Sequence, residues 1–172
     1  MLIAFGGLPG TGKTTIAQAL ARRVGAIYLR IDVIEQAIRD AGVLAGDIGP
    51  AGYQVANALA TSNLALGHIV VADSVNPVAE SRAGWGAVAA SVSARLVEVE
   101  VVCSDATEHR RRVEERPSDI PGLSPPTWQS VATHHFEPWS DPHFSIDTAC
   151  LTAEEAVMAI EAHISRIIIQ AG

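Results

Sequence analysis

Gly7-Leu8-Pro9-Gly10-Thr11-Gly12-Lys13-Thr14 follows the apolar run Leu2-Ile3-Ala4-Phe5 and precedes Ile16, Ala17, Leu20, Ala21 and Val24, which recur at helical spacing. The order is buried strand, glycine-rich turn, helix. The octapeptide satisfies G-x-x-x-x-G-K-[ST] and stands where that pattern acts. Glycines let successive backbone N–H groups converge on an anion, because side chains would block the approach. The helix that follows adds unpaired N–H groups and the positive end of its dipole. Lys13 has the reach for β- and γ-phosphates, and the Thr14 hydroxyl is a ligand type for Mg²⁺. Residues Gly7 through Thr15 are therefore the expected site for a nucleotide's phosphates with Mg²⁺.

Eleven of the 12 basic residues are arginine, and Lys13 is the only lysine. A slender ammonium fits a narrow loop as a point charge, where a broad planar guanidinium would not. The chain has 172 residues, 48% hydrophobic and 18% charged, which excludes a disordered or fibrous class. With 12 basic against 19 acidic residues the net charge is −7, which argues against a surface for nucleic acid or anionic lipid. A bound anion must be met locally. Cys103 and Cys150 are too few for a disulfide framework. Residues 1–5 lack the basic region of a signal peptide, and no apolar run approaches the roughly 18 residues of a membrane span. A cytoplasmic protein is expected, with a small molecule as partner and neither nucleic acid nor membrane; the oligomeric state stays open.

Further along, strands are predicted at residues 26–31, 68–72, 96–103 and 144–146, with 96–103 beginning exposed and ending wholly buried. Helices are predicted from Asp32, over 53–66, from Pro77 to about 92, from Asp105, over 128–135, and from Thr152. Asp105 with Glu108 and Thr152 with Glu155 form capping boxes. Residues 42–52 are loose and glycine-rich, and Pro117, Pro121, Pro125 and Pro126 forbid regular structure. Five strands alternating with helices imply an α/β fold with a parallel sheet covered on both faces. No linker divides it, so residues 1–172 are expected to be one domain.

The chain leaves little room for AAA+ or transporter machinery and shows no N-K-x-D guanine motif. Nearly throughout, and most specifically in its loop, it resembles the small P-loop kinases, which include gluconate, shikimate and adenylylsulfate kinases. It is most similar to the kinases often labelled as AAA-domain proteins and to the chloramphenicol phosphotransferase and zeta-toxin kinases. The resemblance implies a three-layer P-loop NTPase fold, its five-stranded parallel sheet ordered 2-3-1-4-5. It also implies transfer of the ATP γ-phosphoryl group to a small acceptor under an arginine-bearing lid at about residues 105–127.

Arg30-Ile31-Asp32 leaves the second strand at the sheet edge where open α/β sheets bind ligands. In the resembled kinases an aspartate here contacts the acceptor hydroxyl and serves as its base, and Arg30 could hold an anionic part of the acceptor. The plainer alternative is that Asp32 N-caps the helix starting at Val33. Ile69-Val70-Val71-Ala72-Asp73 has the form of a Walker B strand, so Asp73 is expected at the metal beside Thr14 or at the acceptor, with Ser74 and Asn76 nearby. A simple polar turn is the alternative.

Arg110, Arg111, Arg112 and Arg116 cluster in an otherwise acidic chain. Arg112 and Arg116, i and i+4, would share a helix side and close over the phosphates as catalytic groups with Lys13 and Asp32. Ordinary surface pairs with Glu108, Glu114 and Glu115 are the alternative. Thr148 follows the last strand, where the resembled kinases pass the adenine ring. Residues 128–139 are either an acceptor wall or a hydrophobic flap, and His134, His135 and His143 match no zinc spacing. Kinase action on a hydroxyl is the leading expectation. The alternatives are a nucleotide-dependent switch acting on a protein and a toxin-type sugar-nucleotide kinase.

Overall fold

A computed structural model describes residues 1–42 and 46–169. The chain runs β1 (Leu2–Gly6), α1 (Lys13–Val24), β2 (Ile27–Arg30), α2 (Ile31–Asp40), α3 (Ala51–Ala65), β3 (Val70–Asp73), α4 (Ala79–Ser91), β4 (Leu96–Val102), α5 (Ala106–Glu115), α6 (Trp128–Ala132), β5 (Phe144–Asp147) and α7 (Ala153–Ile169). All strand pairings are parallel, and the order is β2-β3-β1-β4-β5, as the resemblance implied. The loose stretch 42–52 falls partly outside the described residues, at 43–45.

Side-chain alternation along β1 builds two cores. Ile3 and Phe5 join Val71, Val97, Val99 and Val101 beneath Ile16 and Leu20 of α1 and Val157 and Ile160 of α7. Leu2 and Ala4 join Val70 and Ala72 beneath α3 and α4, where Trp85 is fully buried. Ala56 and Ala60 have no exposed surface, so the alanine-rich α3 packs closely over the sheet. Every residue of β1 is buried because the strand is central and covered on both faces.

β4 departs from expectation: Val97, Val99 and Val101 are buried while Leu96, Glu98, Glu100 and Val102 are half-buried along its whole length. Only one of its faces meets the α1/α7 core, so the apolar-looking end does not become two-sided. The boxes also differ. Thr152 and Glu155 bond reciprocally, the Thr152 N–H to Glu155 Oε2 at 2.8 Å and the Glu155 N–H to Thr152 Oγ1 at 3.3 Å. Asp105 accepts from the N–H of Thr107 and Glu108, but the Glu108 carboxylate turns to Arg111 and Arg112 instead. Among the described residues no helix is long and apolar enough to cross a membrane.

Candidate active site

The turn between β1 and α1 takes its shape from glycine. Gly7 has φ +136° and Gly10 φ +86°, conformations an L side chain rarely adopts. A Cβ would run into the Val101 carbonyl oxygen at Gly7 and the Val113 side chain at Gly10. Gly12, the N-cap of α1, has φ 93° and offers no side-chain cap, which leaves the first N–H groups of the helix available to a ligand. The Gly7 N–H donates to the Val75 carbonyl at 2.9 Å, tying the loop to the end of β3.

α5 roofs this loop. His109 Nε2 lies 2.8 Å from the Pro9 carbonyl oxygen. The His109 ring meets Trp128 edge-on at 5.3 Å. Arg112 donates from Nη1 to Thr148 Oγ1 at 2.9 Å and from Nη2 to the Thr148 carbonyl at 3.1 Å. The Thr148 hydroxyl donates in turn to the Thr11 carbonyl at 2.7 Å. Thr148 therefore couples β5, α5 and the glycine turn.

A cleft of about 530 Å³ opens along the loop, lined by Gly10, Gly12, Lys13, Thr14, Thr15 and, across it, Arg111, Arg112 and Arg116. A smaller space of about 270 Å³ adjoins it between Gly12, Thr15, Ile16 and Thr148, Leu151, Thr152. A pocket of about 200 Å³ lies beyond Lys13, lined by Arg30, Asp32, Arg116 and Asp119 with Leu123 and Pro125. The first cleft and this pocket share Gly10, Lys13, Arg116, Pro117 and Asp119. Asp119 was not singled out in the sequence; a lone acid among prolines carries no local signal.

Arg30, only 5% exposed, organises the pocket wall. Its Nη1 donates to Asp119 Oδ2 at 2.5 Å and its Nη2 to Asp119 Oδ1 at 3.1 Å, a two-pronged grip. Nη2 also reaches Asp32 Oδ2 at 3.3 Å, and Nε lies 3.9 Å from Asp73 Oδ2. Burial alone would lower the Arg30 pKa, but the hydrogen bond to Asp119 and the charges of Asp32, Asp119 and Asp73 outweigh it and raise it. Hydrogen bonding from Arg30 holds the Asp119 carboxyl well below the usual range, against a smaller burial effect, with help from Arg116 at 3.0 Å. The Tyr28 hydroxyl donates to Asp73 Oδ2 at 2.6 Å; burial, then the Asp73 charge, pushes that phenol up.

Several expectations change. α2 begins at Ile31 with Arg30 at the N-cap, so Asp32 sits in the first turn and does not cap. Arg116 follows the end of α5 in extended conformation, φ −72° and ψ 121°, so it shares no helix side with Arg112, although both line the cleft. Arg110 and Arg111 form exposed pairs with Glu114, Glu108 and Glu115, the surface alternative, whereas Arg112 turns inward. Hydrogen bonds from Arg111 and Arg112 bring the Glu108 carboxyl down to about 2.

Asp73, 2% exposed, is absent from the walls of both the cleft and the pocket, and its Oδ1 is buried without a partner. Ser74 and Asn76 face the backbone rather than a ligand: both donate to the Phe5 carbonyl, and Asn76 accepts from Trp85 Nε1. Trp139 packs over Gly6 and Arg82 rather than the pocket at Arg30 and Asp32. Among the described residues no group of three His, Cys, Asp or Glu is placed to hold a metal.

The family described as an AAA domain (AAA_33) matches residues 2–122. An uncharacterized protein of Mycobacterium tuberculosis is 34% identical in an alignment of 109 positions that covers 56% of this chain and 22% of that protein. The chain thus spans about a fifth of the length of the curated relatives it matches. In fold it is similar to a Chloroflexus aurantiacus protein, with TM-score 0.73, 21% identity and 96% of each chain covered. The Mycobacterium tuberculosis APS kinase CysC in complex with AMPPNP and APS gives TM-score 0.70 and 19% identity, over 95% of this chain and 96% of that one. A gluconokinase of Sinorhizobium meliloti 1021 gives 0.66 and 18%, over 99% and 97%.

Proposed function

This chain belongs to the AAA domain family AAA_33, and from that membership and its paired clefts we propose that it is an ATP- and Mg²⁺-dependent kinase acting on a hydroxyl of a small molecule. One observation carries the reading: the phosphate-loop cleft and a second pocket containing Asp32 meet at Lys13. A switch protein that hydrolyses nucleotide needs no such second pocket. The described segment acts as one domain, with residues 105–127 as its lid, in the cytoplasm.

The triphosphate lies along Gly7, Leu8, Pro9, Gly10, Thr11, Gly12, Lys13, Thr14 and Thr15, with the base beyond Thr148. Lys13 and the N–H groups at the start of α1 balance the β- and γ-phosphate charge. Asp32, its side chain 41% exposed and ion-paired to Arg30, accepts the proton of the acceptor hydroxyl as its oxygen bonds to the γ-phosphorus. The bond from that phosphorus to the β,γ-bridging oxygen breaks, and ADP leaves. Arg112 and Arg116 neutralise charge that grows on the transferring group. Arg30 orients Asp32 instead of meeting the acceptor with a free guanidinium.

The oxygen donors suit a hard cation in kind: the Thr14 hydroxyl lines the cleft, and Asp73, although off the cleft wall, keeps one buried carboxylate oxygen without a partner. These two residues would hold Mg²⁺, which would offset the negative charge of the phosphates there. A crystal structure with AMPPNP and Mg²⁺ tests the whole reading. The terminal phosphate is expected between Lys13 and Asp32; a triphosphate whose end points away from the Asp32 pocket would contradict it.

A further inference from the structure

Arg30 is the natural candidate for gripping an anionic acceptor, and the structure shows its grip already taken. Both Nη atoms are engaged by Asp119, Nη2 also by Asp32, and Nε is buried toward Asp73. Arg116, the other arginine of the pocket, donates to the same Asp119. Leaving out Lys13, which faces the nucleotide as well, the pocket pairs two arginines with Asp32 and Asp119, and Asp73 stands behind Arg30. Around Arg30 itself stand three carboxylates, those of Asp119, Asp32 and Asp73.

An anionic acceptor would have to displace Asp119 from Arg30. That exchange replaces one ionic contact by another and sets the newcomer beside Asp32, a like charge at the same guanidinium. Nothing is gained and repulsion is added. By contrast, the half-exposed carboxylates of Asp32 and Asp119, with 41% and 48% of their side chains open, have lone pairs left for hydroxyl or ammonium donors. Leu123, Pro125, Val75 and Val113 supply an apolar flank. The volume, about 200 Å³, lies below the roughly 300–1,000 Å³ of drug-sized sites, so the molecule is small.

We propose, resting on the kinase reading above, that the acceptor is a small neutral or cationic polyol or amino-polyol, and that Asp119 excludes phosphate- and carboxylate-bearing acceptors from the pocket wall by occupying Arg30. Asp119 is thus a specificity-determining residue contributed by the segment after α5.

Two experiments test this on the full chain. With AMPPNP and Mg²⁺ filling the nucleotide cleft, inorganic sulfate is titrated calorimetrically into the wild type and Asp119→Asn, whose melting curves establish that both are folded. The variant is expected to bind sulfate at least tenfold more tightly than the wild type; equal binding overturns the proposal. Independently of any variant, labelled ATP is offered to the wild type with matched hexoses, amino-hexoses, hexose phosphates and sugar acids. Neutral and amino compounds are expected to lead in kcat/KM by at least tenfold, and a best acceptor carrying phosphate or carboxylate overturns the proposal. If label passes only to water while the sulfate contrast holds, the kinase reading fails and the charge selection stands.

Discussion

The phosphate loop and the segment after α5 face each other across Lys13, yet they are built from different materials. The loop is backbone: Gly7, Gly10 and Gly12 hold positive φ, and its contacts are N–H groups fixed by α1 and β3. The opposite wall is side-chain charge, with Arg30, Asp32, Arg116 and Asp119 drawn from two places 89 residues apart for the Arg30–Asp119 pair. A backbone cradle recognises any polyphosphate and tolerates little change. A wall of paired charges can be retuned by one substitution, so on the proposed kinase reading general nucleotide chemistry and particular acceptor choice lie on separate surfaces.

Breaking the loop side should cost most. Lys13→Met is expected to lower phosphoryl transfer by about 10⁴-fold with the fold retained, since it removes a cation at the transferring group. Unchanged turnover would remove the loop from the chemistry. On the opposite wall, Asp32→Asn should lower kcat by about 10³-fold while ATP still binds, as for a lost general base; full activity in a merely less stable protein would refute that role. Arg116→Ala should cost about 10²-fold in kcat, as for one lost donor to developing charge. Its kinetics separate it from Arg112, whose loss would also free Thr148.

Smaller effects sharpen the contrast. Thr148→Val removes the hydroxyl that links Arg112 to the Thr11 carbonyl, and should destabilise by about 1 kcal/mol. A melting point lowered by about 2–4 °C is the expected sign. Acid should act on the charged wall rather than the loop. Asp119 is depressed well below the usual carboxylate range, and Asp147 sits at about 2 because the Ser104 side chain, the Ser104 N–H and the Ala149 N–H hydrogen-bond it. A lowered folded pKa stabilises above the unfolded value near 4, and that contribution is lost as pH falls toward and below the folded value. Thermal melts between about pH 4 and 2 should therefore fall less steeply for Asp119→Asn than for the wild type.

The same division explains what could be read in the sequence. The glycine turn, Lys13, the buried strand before it and the apolar helix after it are local patterns; five strands alternating with helices implied a parallel sheet, while its order came only from the resemblance to small P-loop kinases. Asp32 was found by its position after β2, although its capping alternative needed the helix start at Ile31 to be discarded. Asp119 was invisible because its partner Arg30 is distant in sequence and nothing near it repeats. Arg112 and Arg116 were paired by spacing, but helical spacing holds only while the helix lasts, and α5 stops at Glu115. The buried end predicted for β4 failed because burial depends on what covers each face, which a run of valines does not record.

On the proposed reading, the two clefts form one reaction path through Lys13 and Asp32. Single-turnover partition of labelled γ-phosphate between a polyol acceptor and water, in the wild type and Asp32→Asn, tests it most directly. Label in the acceptor for the wild type, and its loss in Asp32→Asn with nucleotide affinity unchanged, is the predicted result. Label released only as inorganic phosphate, at equal rates in both proteins, would contradict it.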